Sequence, residues 1–188
     1  MTEIVQEGAP VLRGIAAPVP ENLFGSAELA KLVADMAEAL DAQPEGVALA
    51  APQIGVPYRL FIVRVDRTIP PPETPDGEAL PAGRTRAPEP VVEVFANPEI
   101  VKSSRRRARA DEGCLSVRGI YGTTNRHERV TIRARRPDGT KIERGAGGLL
   151  AQIFQHEIDH LNGILFIDHA ENLLHITAEE DAGNDNAA

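Results

Sequence analysis

The sequence predicts an α+β fold, and three observations carry that prediction. Strand-like and helix-like stretches follow one another without the regular alternation that a parallel βαβ sheet needs. Before the turn Pro137-Asp138-Gly139, Arg129, Thr131, Arg133 and Arg135 alternate with Val130, Ile132 and Ala134, which is the pattern of a hairpin and therefore of antiparallel pairing. Two stretches, 26–42 and 147–163, instead repeat their apolar residues at helical spacing.

Residues 1–25 are punctuated by Pro and Gly and read as an extended arm. In "SAELAKLVADMAEALDA" the residues Leu29, Leu32, Val33, Met36 and Leu40 fall on one helical face, and Ser26 is placed to cap it. "EGVALAAPQIG" follows, rich in small residues, and "YRLFIVRVD" (58–66) has strand composition. Residues 67–90 are proline-dense with few large apolar side chains, so they are expected to form a surface insertion. "VVEVFANPEIVKS" returns to strand character with a break expected at Asn97-Pro98. After the hairpin and the second helix, "ILFIDH" reads as a last short strand. The acidic end, 177–188, is expected to be disordered.

The chain has 188 residues, 42% of them hydrophobic and only 4% aromatic, enough for one aliphatic core and a single domain over 1–176. A net charge of -8 argues against a general nucleic-acid binder. One cysteine allows no internal disulfide, and the N-terminus has neither a basic leader nor an apolar export segment. No apolar run is long enough to span a bilayer, so a cytoplasmic protein is expected.

The chemistry is concentrated in "QHEIDHLNG" (155–163). At roughly 100° per residue, His156 and His160 project on one side of the helix, with Leu149 and Ile153 above them and Glu157 on the adjacent line. Leu150, Phe154, Ile158 and Leu161 fill the next sector, so this helix is apolar around most of its girth and runs through the core. Two imidazoles four apart on such a face, with a glutamate between them, make a divalent-metal site. A catalytic site needs a third protein ligand. Downstream stand Asp168, His169, Glu171 and His175, none at HExxHxxGxxH spacing; upstream stands Cys114 in "DEGCLSV". A lone thiol can be a ligand or a small buried hydrophobe, and spacing alone leaves this open.

Three segments together resemble the signature motifs of the peptide deformylases: "GVALAAPQ" (46–53), "EGCLS" (112–116) and "QHEIDHLNG" (155–163), in the family's order and approximate spacing. The likeness covers most of residues 4–168. It implies antiparallel β-sheets packed around a central HExxH-bearing helix, with a second, N-terminal helix. It implies Cys114, His156 and His160 as ligands of one divalent ion per chain, Fe2+ in the cell, with Zn2+, Ni2+ or Co2+ as alternatives. The implied reaction is hydrolysis of the N-formyl group from the first methionine of new polypeptides. Glu157 would be the general acid/base, and the side-chain amide of Gln53 and the backbone N–H of Leu115 would donate to the formyl oxygen. Val47, Leu149 and Ile153 are candidates for the wall of an apolar slot. Gly46 is a candidate for close approach of the peptide backbone.

This sequence departs from the family pattern at Ala48, where glycine is usual, and at Arg118 and Tyr121. Arg126 matches a family arginine and is expected to pair with Glu112 or Asp159. The basic run "KSSRRRARADE" (102–112) reads as a solvated edge or as a contact with ribosomal RNA, giving nascent formylmethionyl peptides and the ribosome as expected partners; DNA and membranes are not expected. Two other readings share the helix: an HExxH metallopeptidase acting on internal amide bonds, and a non-catalytic metal-binding relative.

Overall fold

The structure, a computed structural model, describes residues 2–68 and 91–176. The expected insertion, from residue 69 onward, and the expected tail at 177–188 lie outside the described residues. Two antiparallel sheets and two α-helices make up the fold. In chain order the elements are α1 (Ala27–Asp41), β1 (Ala48–Ala50), β2 (Leu60–Arg64), β3 (Val92–Ser103), β4 (Arg107–Cys114), β5 (Val117–His127), β6 (Arg129–Arg135), β7 (Lys141–Gly147), α2 (Gly148–Leu161) and β8 (Glu171–His175). The larger sheet runs β1-β2-β3-β6-β7 and the smaller β4-β5-β8.

The larger sheet is covered on both faces, which explains the unbroken apolar run of β2. Side chains alternate along a strand. Leu60 and Ile62 pack with Leu29, Met36 and Leu40 of α1, while Phe61 and Val63 pack with Phe154, Ile158 and Leu161 of α2. Phe61, Phe95 and Phe154 meet with ring centroids 4.9 to 5.9 Å apart and anchor the α2 side. α2 also touches β5 of the smaller sheet, so the helix that carries the histidines lies against strands of both sheets.

Ser26 caps α1 as expected, its hydroxyl accepting from the Leu29 N–H at 3.1 Å. The break expected at Asn97-Pro98 is a bulge inside a continuous β3. Asn97 takes φ 51, and its side chain exchanges hydrogen bonds with the backbone N–H and C=O of Val19 at 2.7 and 3.1 Å. The N-terminal arm is more firmly fixed than its composition implied. Leu12, Ala16, Val19 and Leu23 are buried, and Val5 and Glu7 donate to the carbonyls of Gln53 and Ser116 at 2.8 and 2.7 Å. The segment "ILFIDH" forms a 3-10 turn at Phe166–Asp168 rather than a strand, because Asp168 accepts from the Leu165 N–H at 2.9 Å and closes the chain on itself. The last strand is β8, paired with β5.

Candidate metal centre

A cavity of about 690 Å³ opens where the two sheets meet α2. One wall is Glu45 to Ala48 and Gln53 of the larger sheet's first strand and its flanks; the other is Gly113 to Leu115 and Val117 to Tyr121; His156 and Glu157 close the floor.

Three donors converge there. Cys114 is the last residue of β4, two after Glu112, and its sulfur faces α2. Ligand atoms of Cys114, His156 and His160 all lie within 4.8 Å of one another, and the Cys114 Sγ stands 3.2 Å from His160 Nε2. The Ser116 backbone N–H and the Gln53 Nε2 face the same sulfur at 3.4 and 3.6 Å, which suits a thiolate.

Each imidazole is oriented by its surroundings. His156 Nδ1 lies 3.0 Å from Glu112 Oε2, which leaves Nε2 for the cavity. Glu112 is itself held by Arg126, Nε to Oε1 at 2.7 Å and Nη2 to Oε2 at 2.9 Å, and by the Thr124 hydroxyl at 2.8 Å. Arg126 also reaches Asp159 at 2.5 Å, so it pairs with both expected carboxylates at once. Burial alone would raise the Glu112 carboxyl, but the hydrogen bonds and charges of Arg126 and His156 outweigh it and hold the group below the usual carboxylate range. For His160, burial together with the neighbouring His156 pushes the imidazole well below its ordinary value, so it is neutral and able to ligate.

Glu157 is almost fully buried, and its Oε2 has no hydrogen-bond partner. Burial lifts its carboxyl to about 7; His156 opposes this, while the charges of Glu112 and Asp159 add to it. His160 Nδ1 is likewise buried without a partner. Orphaned polar atoms beside a thiol and two imidazoles fit a divalent cation and the water it would bring.

Gln53 sits on the 3-10 turn Ala51–Ile54 after β1. Its Oε1 accepts from the Ala50 N–H at 2.8 Å, which turns Nε2 toward Ser116 Oγ, at 3.2 Å, and toward the cavity. Leu115 lines the cavity, its carbonyl fixed by Gln6 Nε2 at 3.0 Å.

The expected slot residues separate. Gly46 and Val47 line the cavity; Leu149 and Ile153 do not. Ile153 is buried between α2 and the larger sheet. Leu149 is 47% exposed and lines a second depression, of about 620 Å³, with Ala110, Arg126 and Gln152. Both share the histidines' helical arc, but Leu149 stands about 10 Å farther up the axis than His156. At Gly46 the N–H donates to the Gln43 carbonyl at 3.0 Å and the carbonyl accepts from Arg67 at 2.6 Å, with a second lone pair of that oxygen still open. A Cβ there would stand 2.8 Å from Leu40 Cδ1 and 3.1 Å from Leu115 Cδ1.

Of the three departures, Ala48 is buried on the cavity wall, Tyr121 covers Gly113, and Arg118 donates to Gln43 Oε1 at 2.7 Å. Sequence reasoning missed Ser116, which supports both the sulfur and Gln53, and the support of His156 by Glu112. The latter was signalled by the two-residue step from Glu112 to Cys114, which puts both on one face of a strand.

A family model described as polypeptide deformylase matches residues 1–175. The peptide deformylase of Carboxydothermus hydrogenoformans is 40% identical over 172 residues, covering 92% of this chain and 95% of that protein. That of Rhizobium meliloti is 40% identical over 164 residues, covering 87% and 82%. Among solved structures, a class I type b peptide deformylase from Acinetobacter baumannii with Met-Ala-Ser bound superposes with a TM-score of 0.73 at 34% identity, over 88% of this chain and 96% of that one. The Thermotoga maritima peptide deformylase superposes with a TM-score of 0.73 at 32% identity, over 91% and 98%. Such agreement along nearly the whole of both chains means that this chain belongs to the polypeptide deformylase family.

Proposed function

We propose that residues 1–176 form one catalytic domain that hydrolyses the N-formyl group of formylmethionyl peptides, and that Cys114, His156 and His160 hold its divalent cation. The observation that carries this reading is the convergence of one sulfur and two imidazoles beside an unpartnered, buried Glu157 carboxylate. A cysteine sulfur and two imidazole nitrogens would suit Fe2+, Zn2+, Ni2+ and Co2+ alike, with Fe2+ as our choice for the cell. Bound there, the ion lowers the pKa of the attacking water and polarises the formyl carbonyl.

The chain supplies the rest. Glu157, its carboxyl raised to about 7 by burial, takes a proton from the attacking water. The water oxygen bonds to the formyl carbon, and charge grows on the formyl oxygen. The Gln53 Nε2 and the Leu115 N–H donate to that oxygen. Gln53 suits the task because Ala50 fixes its carbonyl end, so only an Nε2 hydrogen now shared with Ser116 Oγ or the Cys114 sulfur has to be released to the oxygen. Glu157 then passes the proton to the departing amine as the C–N bond breaks, releasing formate. Val47 supplies apolar wall for the methionine; Leu149 and Ile153 are not carried into it. The peptide pairs along β1, the outermost strand of the larger sheet among the described residues, beside Ala48, with Gly46 giving its backbone room to approach.

The substrates are the ends of new polypeptides, so the site of action in this proposal is the cytoplasm near the ribosome. Arg105, Arg106, Arg107 and Arg109, all exposed on the turn before β4 and on β4 itself, are the surface of opposite charge to ribosomal RNA. Among the described residues no helix is long and apolar enough to cross a membrane.

The test is formate release from formyl-Met-Ala-Ser by protein purified without oxygen, with metal analysis of Cys114→Ser. Release by the parent, and loss of both metal and activity in the variant, is the expected result. Cleavage of unformylated peptides by a fully active Cys114→Ser would favour the metallopeptidase reading instead.

A further inference from the structure

Behind the cavity wall lies a group of charged side chains that the reaction does not use. Arg64, at the end of β2, is almost fully buried and holds Asp66 through two hydrogen bonds of 3.0 and 2.9 Å; it also contacts Asp41, the last residue of α1. Asp41 in turn accepts from Arg67 Nη2 at 3.2 Å. From this seat Arg67 Nη1 donates to two backbone carbonyls, Gln43 at 3.0 Å and Gly46 at 2.6 Å. The segment 43–46 leads directly into the cavity-lining residues Val47 and Ala48, the latter opening β1, the outermost strand of the larger sheet among the described residues. Gly46 meanwhile packs closely on Leu40 and Leu115: a Cβ there would stand 2.8 Å from Leu40 Cδ1 and 3.1 Å from Leu115 Cδ1.

We infer that Arg67 is a positioning residue for substrate: seated on Asp41, it clips the carbonyls of Gln43 and Gly46 and so sets the rim along which the peptide beyond methionine is bound. A planar guanidinium is suited to this. It can donate to two carbonyls from one nitrogen and to a carboxylate from the other, in fixed relative directions. Arg67 touches neither the ligand set nor Glu157, so its loss should spare the chemistry and weaken the grip on peptide length. This inference rests on the deformylase reading above.

The experiment compares Arg67→Ala, Arg67→Met and Arg67→Lys with the parent, using formyl-Met-Ala-Ser, formylmethionine amide and the product Met-Ala-Ser. Losing the clip should raise KM for the tripeptide and Kd for Met-Ala-Ser by about tenfold, with kcat within about twofold. The rise for formylmethionine amide, which does not reach along the rim, should be several-fold smaller. Arg67→Lys, which restores a donor, should recover at least half of the loss. If the alanine variant does not fold, the methionine variant, which keeps the aliphatic stem, decides the outcome. Unchanged tripeptide KM and product Kd, or an equal rise for the long and short substrates, would overturn the assignment of Arg67. Absence of formate release by the parent would overturn the deformylase reading itself, while weakened Met-Ala-Ser binding in the variants would still report on the rim.

Discussion

Arg126 grips Glu112 with two nitrogens at 2.7 and 2.9 Å, and both side chains are almost entirely removed from solvent. A buried carboxylate that supports His156 is thereby kept charged. Replacing Arg126 with Met strands that charge, and stability should fall by about 3–5 kcal/mol. Metal affinity should fall by about 10- to 100-fold, because His156 loses its fixed orientation. Urea unfolding and metal titration check the two effects. The double variant with Glu112→Gln should regain part of the stability but not the affinity.

Glu157→Gln should retain metal at parental stoichiometry, since Cys114, His156 and His160 remain. Its kcat should drop by about 10²- to 10⁴-fold, as expected for loss of a positioned acid/base. Because burial is the main force raising this carboxyl, the glutamine variant should also be no less stable than the parent at pH 7. Turnover at the parental rate would remove Glu157 from the mechanism.

Gly163 ends α2 with φ +74, and a Cβ there would fall 2.6 Å from the Arg13 carbonyl oxygen and 2.8 Å from its carbon. Both contacts are backbone, so neither can swing away. Gly163→Ala should cost about 2–3 kcal/mol, read from the urea midpoint. Gly113→Ala makes a useful contrast. Its clash, at 2.8 Å, is with the half-exposed ring of Tyr121, which can rotate out, so the loss should be well under half as large.

Asp66 titrates at about 2 in the folded protein, against an ordinary 3.8. The hydrogen bond from Arg64 is the main cause; burial opposes it, and the Val91 N–H adds to it. A carboxyl whose folded pKa is depressed contributes stability above its unfolded value and loses it as pH falls through the folded one. Asp66→Asn should therefore be destabilised by on the order of 1–2 kcal/mol at pH 6. The gap to the parent should narrow between pH 4 and pH 2. Unfolding measured at pH 6, 4 and 2.5 tests it.

Much of this fold could be seen in the sequence where one period dominated. The face of α1 carrying Leu29, Met36 and Leu40 is buried as its spacing required, and the β6–β7 hairpin turns where Pro137-Asp138-Gly139 stands. The pairing of β4 with β5 was hidden, because Arg105, Arg106, Arg107 and Arg109 look like a solvated run; on an edge strand such charges leave the apolar alternation unreadable. β8 was missed for a related reason: all five of its residues are exposed, so it has no inward face to mark it. In the candidate site, the helix declared its two histidines through their spacing. The sulfur could be proposed only by resemblance, since it comes from β4, far from α2 in the chain, and no local pattern encodes the packing of that strand on the helix. Arg67 was invisible because two of its three partners, Gln43 and Gly46, offer backbone carbonyls, which leave no trace in side-chain identity, and the third, Asp41, is distant in the chain.

Arg126 belongs to β5, Glu112 to β4 and Asp159 to α2, so a single guanidinium fastens a sheet to the helix across the very gap where the sulfur faces the imidazoles. Sliding α2 against β4 would therefore break a largely buried ion pair before it parted the sulfur from the imidazoles, so the alignment of those groups is tied to the electrostatics of one side chain.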